Sequence, residues 1–139
     1  MAQTVEEIMT RDPRTVSEDD SVLEAARIMR DENIGDVIVM HDGEVGGIVT
    51  DRDIVIRGVA EGRDPDSTKV GDVCTKEFEA IEPSTSVDDA LRKMREADIR
   101  RLPVVEGDRP VGIVSLGDLA VEQEPDSTLA DISSAAPDQ

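Results

Sequence analysis

The stretch GIVTDRD occupies residues 47–53, and a near copy, GIVSLGD, occupies residues 112–118. Each copy begins with a glycine, continues with Ile-Val and a hydroxyl residue, and has an aspartate three positions after that hydroxyl. A phrase that returns at a fixed distance along a chain indicates a duplicated structural unit. We therefore expect the duplication to extend beyond these seven residues.

The duplication covers most of the chain. When residues 5–57 are laid over residues 70–122 without a gap, 14 of 53 positions are identical, whereas composition alone gives roughly three or four. The identical pairs include Val22 with Val87, Ala25 with Ala90, Met29 with Met94, Ile34 with Ile99, Val39 with Val104 and Asp53 with Asp118. The predicted organisation is repeat 1 at 1–62, a polar linker at 63–69, repeat 2 at 70–122, and a C-terminal tail with a short helix at 123–139.

Both repeats have the same predicted element order of helix, strand, strand and helix. Apolar residues at helical spacing predict helices over 21–33 and 86–98, with Ser21 as an N-cap. Asp42-Gly43 and Gly107-Asp108 predict hairpin turns. A second helix follows each hairpin, and short extended segments at 14–16 and 79–81 precede the first helix. Because one repeat of about 55 residues buries too little surface to be robust alone, the two are expected to share a core.

The repeated phrase has a structural and a functional interpretation. Thr50 and Ser115 can cap the helices that follow, with Asp53 and Asp118 completing capping boxes. A helix N-terminus also attracts phosphate, and a carboxylate on the first helical turn can accept two hydrogen bonds from a ribose diol. The leading glycine permits close approach of another backbone. Recurrence of the phrase in register favours a nucleotide site in addition to a cap.

Composition excludes several function classes. The chain has 33 acidic against 15 basic residues, a net charge of −18, which disfavours nucleic acids and anionic membranes as partners. Phe78 is its one aromatic residue, so no stacking platform for single-stranded nucleic acid is expected. No apolar run reaches the roughly 20 residues of a membrane span, and the N-terminus lacks a signal-peptide pattern. A cytoplasmic location is expected, and the single cysteine fits it.

No residue pattern predicts catalysis or a metal site. His41 flanks the first hairpin turn and is interpreted as a surface residue, and Cys74 is interpreted as a core residue. One cysteine and one histidine do not make a conventional zinc site. We expect that the protein is not an enzyme.

The chain resembles stand-alone tandem CBS-domain (cystathionine beta-synthase domain) proteins over residues 5–122. The resemblance is carried by IMTRDPRTVSEDDSVLEAARIMRDENIGDVIVM with GGIVTDRD, and by SVDDALRKMREADIRRLPVV with VGIVSLGD. It implies a Bateman module, an α/β (α+β) fold of two beta-alpha-beta-beta-alpha repeats packed sheet to sheet with pseudo-twofold symmetry. It also implies a regulatory homodimer that binds AMP, ADP, ATP or S-adenosylmethionine in inter-repeat clefts, requires no cofactor, and signals to an unknown protein partner. The alternative is a ligand-independent dimeric interaction or stress-response protein.

The resemblance also implies two ligand sites. Site A combines Thr50, Asp53, Phe78, Glu79, Ala80, Ile99, Arg100 and Arg101. Site B combines Thr10, Arg14, Thr15, Ile34, Gly35, Asp36, Ser115 and Asp118. The two aspartates of the repeated phrase would hold ribose hydroxyls. Because Arg100-Arg101 suits phosphate and Asp36 repels it, site A is expected to bind phosphorylated ligand better.

Overall fold

The structure, a computed structural model, describes residues 4–123. Its elements in chain order are a 3-10 helix (Val5–Glu7), β1 (Thr10–Arg11), β2 (Thr15–Ser17), α1 (Val22–Glu32), β3 (Asp36–His41), β4 (Glu44–Thr50), α2 (Asp51–Asp53) continued by a π-helix (Ile54–Val59), a second 3-10 helix (Val70–Asp72), α3 (Val87–Ala97), β5 (Arg101–Glu106), β6 (Arg109–Ser115) and α4 (Leu116–Gln123). The predicted mixed α/β class and the element order of both repeats are confirmed. The tail predicted after residue 123 lies outside the described residues.

The first helix of each repeat starts and stops on local signals. Ser21 and Ser86 accept hydrogen bonds from the backbone N–H three residues on, at 3.1 and 3.0 Å, which satisfies a donor that the first helical turn leaves unpaired. The helices end at Asn33 (φ 56°) and Asp98 (φ 55°). Asn and Asp adopt this left-handed conformation more readily than other non-glycine residues. The predicted bounds of α1 and α3 are therefore confirmed to within one residue.

Tight turns join the strands of both hairpins. Asp42 (φ 49°) and Gly43 (φ 82°) both have positive φ, as a type I′ turn requires. In the second hairpin only the first turn residue, Gly107, has positive φ, at 63°, as in a type II′ turn. Both predicted hairpins, β3–β4 and β5–β6, are antiparallel and confirmed.

The chain divides into two compact units that do not coincide with the two sequence repeats. The first unit spans Arg14–Phe78, and of the described residues the second unit combines 4–13 with 79–123. The first unit has a three-stranded sheet of order β2-β3-β4, in which β2 is parallel to β3. The second has a sheet of order β1-β6-β5, in which β1 is antiparallel to β6.

A further backbone bridge completes the same pattern in each unit. Thr75 pairs antiparallel with Ile48 through hydrogen bonds of 3.0 and 2.8 Å, and this places Thr75 beside β4 as β1 lies beside β6. Ile81 pairs in parallel with Val104, as β2 does with β3. Each hairpin is therefore flanked on one side by a parallel segment from its own repeat. On the other side it is flanked by an antiparallel segment from the start of the other repeat.

Each unit has its own apolar core, and the predicted helical stripes supply part of both. In the first unit the buried residues include Val22, Ala25, Met29, Val37, Val49, Val73 and Cys74. In the second they include Met9, Val87, Ala90, Met94, Leu102, Val114 and Leu119. Within residues 4–123, no helix has both the length and the apolar character that crossing a bilayer requires.

Candidate functional site

The repeated phrase forms a capping box in both units. Thr50 Oγ1 accepts a hydrogen bond from the Asp53 N–H at 3.1 Å, and Asp53 Oδ2 accepts one from the Thr50 N–H at 3.0 Å. Ser115 and Asp118 make the same reciprocal pair, both bonds at 3.1 Å. The predicted capping boxes are confirmed, and each uses one carboxylate oxygen of its aspartate.

The glycine that opens the phrase lies directly against a neighbouring backbone. A Cβ built on Gly47 would stand 2.6 Å from the Thr75 carbonyl oxygen. One built on Gly112 would stand 3.0 Å from the Thr10 carbonyl oxygen and would collide with the Met9 side chain. Side chains cannot occupy these positions without displacing their neighbours. The predicted role of the glycine, close approach of another backbone, is therefore confirmed in both repeats.

The two hairpins differ in charge where the phrase ends. Thr50 lies opposite Asp36 across β3–β4, whereas Ser115 lies opposite Arg101 across β5–β6. Side chains directly opposite in an antiparallel pair share a face of the sheet. The first backbone N–H of α4 also donates to the carbonyl of Arg100 at 2.7 Å. Inside the second unit, Arg100-Arg101 therefore lies beside the Ser115 cap, while an acidic residue lies beside the Thr50 cap.

Asp53 is buried and hydrogen-bonded within its own unit. Its side chain is only 11% exposed, and the Thr75 hydroxyl lies 3.2 Å from both carboxylate oxygens. Arg57 Nη1 lies 3.8 Å from Asp53 Oδ1 and donates to the carbonyls of Val73 (3.2 Å) and Cys74 (3.0 Å). Neither Arg57 nor Thr75 was predicted as a partner of Asp53 from the sequence. The signals available were the four-residue spacing of Arg57 from Asp53 and the match of Thr75 with Thr10 across the repeats.

Asp118 is less engaged than Asp53. It is half-buried, and among the described residues its carboxylate accepts a hydrogen bond from the Ser115 N–H alone. Thr10, the counterpart of Thr75, makes no hydrogen bond to Asp118 in the part of the chain that is described. In the sequence, the position that corresponds to Arg57 is Glu122. The two aspartates of the repeated phrase are therefore chemically unequal.

The residues assigned to each predicted ligand site fall in both compact units. For site A, the first unit holds Thr50, Asp53 and Phe78, and the second holds Glu79, Ala80, Ile99, Arg100 and Arg101. For site B, the second unit holds Thr10, Ser115 and Asp118, and the first holds Arg14, Thr15, Ile34, Gly35 and Asp36. Within the units, the structure brings Thr10 beside β6 and sets Gly35-Asp36 beside Thr50. The combination of residues from different units into one site stays a prediction.

His41 lies at the surface and Cys74 in the core, as predicted from the sequence. His41 is exposed in the first hairpin; its Nδ1 contacts a Glu18 carboxylate oxygen and its Nε2 lies 3.3 Å from an Asp42 oxygen. Cys74 is buried in the core of the first unit, and this burial raises the pKa of its thiol. Within residues 4–123, no group of three or more His, Cys, Asp or Glu side chains is arranged to hold a metal ion.

Comparison with known proteins identifies the repeat. The family model of the CBS domain matches residues 5–58 and again residues 70–123. The CBS domain-containing protein YhcV of Bacillus subtilis is 42% identical over 120 residues, which cover 86% of this chain and 85% of YhcV. The match therefore includes both repeats of this chain and most of YhcV.

Solved structures of CBS-domain proteins share the fold. Hypoxic Response Protein I, determined with two coordinated zinc ions, gives a TM-score of 0.74 at 35% identity and covers 84% of this chain and 96% of its own. A hexameric CBS-CP12 protein from bloom-forming cyanobacteria gives a TM-score of 0.77 at 30% identity and covers 98% of this chain and 84% of its own.

Proposed function

Because this chain belongs to the CBS-domain family, which is generally regulatory and ligand-binding, we propose that it binds an adenosine nucleotide at Asp118 and passes that state to a protein partner. The observation that carries this proposal is the carboxylate of Asp118, which uses one oxygen in the capping box. The acceptor positions that remain suit the vicinal hydroxyls of a ribose.

The charges near Asp118 favour a phosphorylated ligand. Arg100-Arg101 begins the strand that lies beside the Ser115 cap, and guanidinium groups bind phosphate through charge-assisted hydrogen bonds. AMP, ADP and ATP combine a ribose diol with phosphate, whereas S-adenosylmethionine carries a sulfonium cation in place of phosphate. We therefore rank the three nucleotides above S-adenosylmethionine.

A thermal-shift panel of AMP, ADP, ATP and S-adenosylmethionine tests the proposal. A ligand at one hundred times its dissociation constant stabilises the folded state by about 2.7 kcal/mol, which raises Tm by several degrees. The shift should vanish in Asp118→Asn and persist in the matched control Asp108→Asn, which changes an exposed turn residue of the same unit. If no member of the panel raises the Tm of folded wild-type protein, nucleotide binding is wrong.

We also propose that the regulatory unit is a homodimer formed through the π-helix. Val55, Ile56 and Val59 are 53%, 47% and 65% exposed and follow one another along this segment. An exposed apolar cluster of this kind is typical of a protein–protein interface. The hexameric CBS-CP12 neighbour is consistent with oligomerisation of a chain of this fold.

Sedimentation equilibrium tests the dimer. Wild-type protein should sediment with twice the 15.0 kDa chain mass, and Val59→Lys should sediment as a monomer because it places a charge in the apolar cluster. Ala97→Lys, which adds the same charge at an exposed position of α3, is the matched control and should remain dimeric. Because each chain carries −18, added salt should tighten association by screening the repulsion. A wild-type monomer at all salt concentrations contradicts this proposal.

A further inference from the structure

Of the two carboxylates that the duplication supplies, Asp53 is the more engaged and the more deeply buried. Asp53 Oδ2 accepts the Thr50 N–H at 3.0 Å, and the Thr75 hydroxyl lies 3.2 Å from both oxygens. The Arg57 guanidinium stands 3.8 Å away and supplies a compensating positive charge. A ribose diol that bonded to both oxygens would have to compete with the Thr75 hydroxyl and to reach a carboxylate whose side chain is only 11% exposed.

The groups that occupy Asp53 are themselves held in place. Arg57 Nη1 donates to the carbonyls of Val73 and Cys74 at 3.2 and 3.0 Å. Thr75 is bridged to Ile48 through two backbone hydrogen bonds, of 3.0 and 2.8 Å. The network therefore joins the helix after β4 to the segment 73–75 at several points. A ligand that opened it would also have to break contacts that stabilise the first unit.

In the part of the second unit that the structure describes, the corresponding position shows no such network. Asp118 accepts only the Ser115 N–H among the residues described, although Thr10 stands at the position of Thr75. The counterpart of Arg57 in the sequence is Glu122, which carries no cation. The two positions therefore differ in the hydroxyl contact, which Thr75 makes and Thr10 does not, and in the cation of Arg57.

We propose that Arg57 and Thr75 together close the first of the two equivalent ligand positions, so that the chain binds one nucleotide, at Asp118. This inference rests on the proposed nucleotide-binding function and reverses the site ranking expected from the sequence, which placed the better phosphate site at Asp53. Arg57 and Thr75 are then specificity-determining residues that act through Asp53, and the duplicated fold has one ligand-binding half and one structural half.

Calorimetric titration with AMP measures the number of sites. Wild-type protein should bind one equivalent per chain, Asp118→Asn should bind none, and the double variant Arg57→Met/Thr75→Val should bind two. Methionine keeps the length of the side chain and removes its charge, and valine keeps the shape of threonine and removes its hydroxyl. Two equivalents in wild type, one in Asp118→Asn, or only one in the double variant would overturn the proposal.

Carbodiimide labelling with glycine ethyl ester, read by mass spectrometry, tests the closure without any ligand. Asp53 should remain unlabelled in wild type and become labelled several-fold faster in the double variant, with Asp118 as the internal reference. If AMP, ADP, ATP and S-adenosylmethionine all fail to bind wild type, the proposed nucleotide function is wrong. The labelling rate of Asp53 then tests by itself whether this carboxylate is closed to molecules from solution. Equal labelling of Asp53 in wild type and double variant would overturn the closure.

Discussion

The substitution Gly47→Ala should destabilise the protein because it places a methyl group against a fixed backbone carbonyl. The new Cβ would stand 2.6 Å from the Thr75 oxygen, well inside van der Waals contact. Thr75 cannot withdraw freely, because two backbone hydrogen bonds hold it to Ile48 and its hydroxyl contacts Asp53.

The magnitude follows from the two ways in which the clash can be relieved. If Thr75 moves away, the two bonds to Ile48 weaken, and each contributes about 1 kcal/mol. If Thr75 stays, the strand β4 must shift, and overpacking of this kind costs about 1–3 kcal/mol. By either route the free energy of unfolding should fall by roughly 1–3 kcal/mol.

Urea unfolding followed by far-ultraviolet circular dichroism measures this loss, since the chain has no Trp or Tyr to report by fluorescence. Gly58→Ala is the matched control. A Cβ built on Gly58 has no atom within 4 Å, and alanine is favoured over glycine in a helical segment by about 0.5–1 kcal/mol. The two Gly-to-Ala changes should therefore move the free energy of unfolding in opposite directions.

Two outcomes of the unfolding experiment would contradict the predicted clash at Gly47. If Gly47→Ala leaves the free energy of unfolding unchanged, the close approach of Thr75 to β4 does not hold in solution. If both substitutions destabilise equally, the effect belongs to glycine replacement in general and not to the contact with the Thr75 carbonyl.

Three further predictions use the same unfolding assay or a chemical probe. Gly112→Ala should cost less than its counterpart in repeat 1, because the atoms it meets first belong to the Met9 side chain, which can rotate; an equal or larger loss contradicts this. Ser21→Ala and Ser86→Ala should each lower the free energy of unfolding by about 1 kcal/mol, because each removes an N-cap hydrogen bond. Ser21→Thr and Ser86→Thr should keep most of that stabilisation, because threonine retains the capping hydroxyl. Iodoacetamide should alkylate Cys74 far more slowly in native than in urea-unfolded protein at pH 8, since burial raises the pKa of the thiol and so lowers its thiolate fraction; equal rates refute burial.

Much of the fold could be predicted because its signals are local in the chain. The apolar stripes of α1 and α3 repeat at helical spacing, and Ser21 stands at the cap position immediately before the first of them. The Asp42-Gly43 turn needs only two residues with positive φ. The capping boxes need a hydroxyl and a carboxylate three residues apart. Each of these features is decided by residues within a few positions of one another, so a pattern in the sequence is enough to find it.

The pairing of β1 and of Thr75 with the hairpin of the other repeat could not be predicted in this way. That β1 joins β6, and that Thr75 joins Ile48, depends on contacts between distant parts of the chain. Nothing in the local pattern of either segment distinguishes its own repeat from the other as a partner. The compact units therefore differ from the repeats that the sequence displays.

By itself, the sequence determined that the fold is duplicated and that each copy ends its hairpin in a capping box with an aspartate. Only the tertiary structure decided that the two aspartates are unequal. Thr75 lies 22 residues beyond Asp53 in the chain, yet its hydroxyl lies against that carboxylate, and Arg57 is held there by the carbonyls of Val73 and Cys74. A repeat comparison aligns residues of like type. The acceptor capacity of a carboxylate depends instead on which donors the folded chain brings within hydrogen-bonding distance.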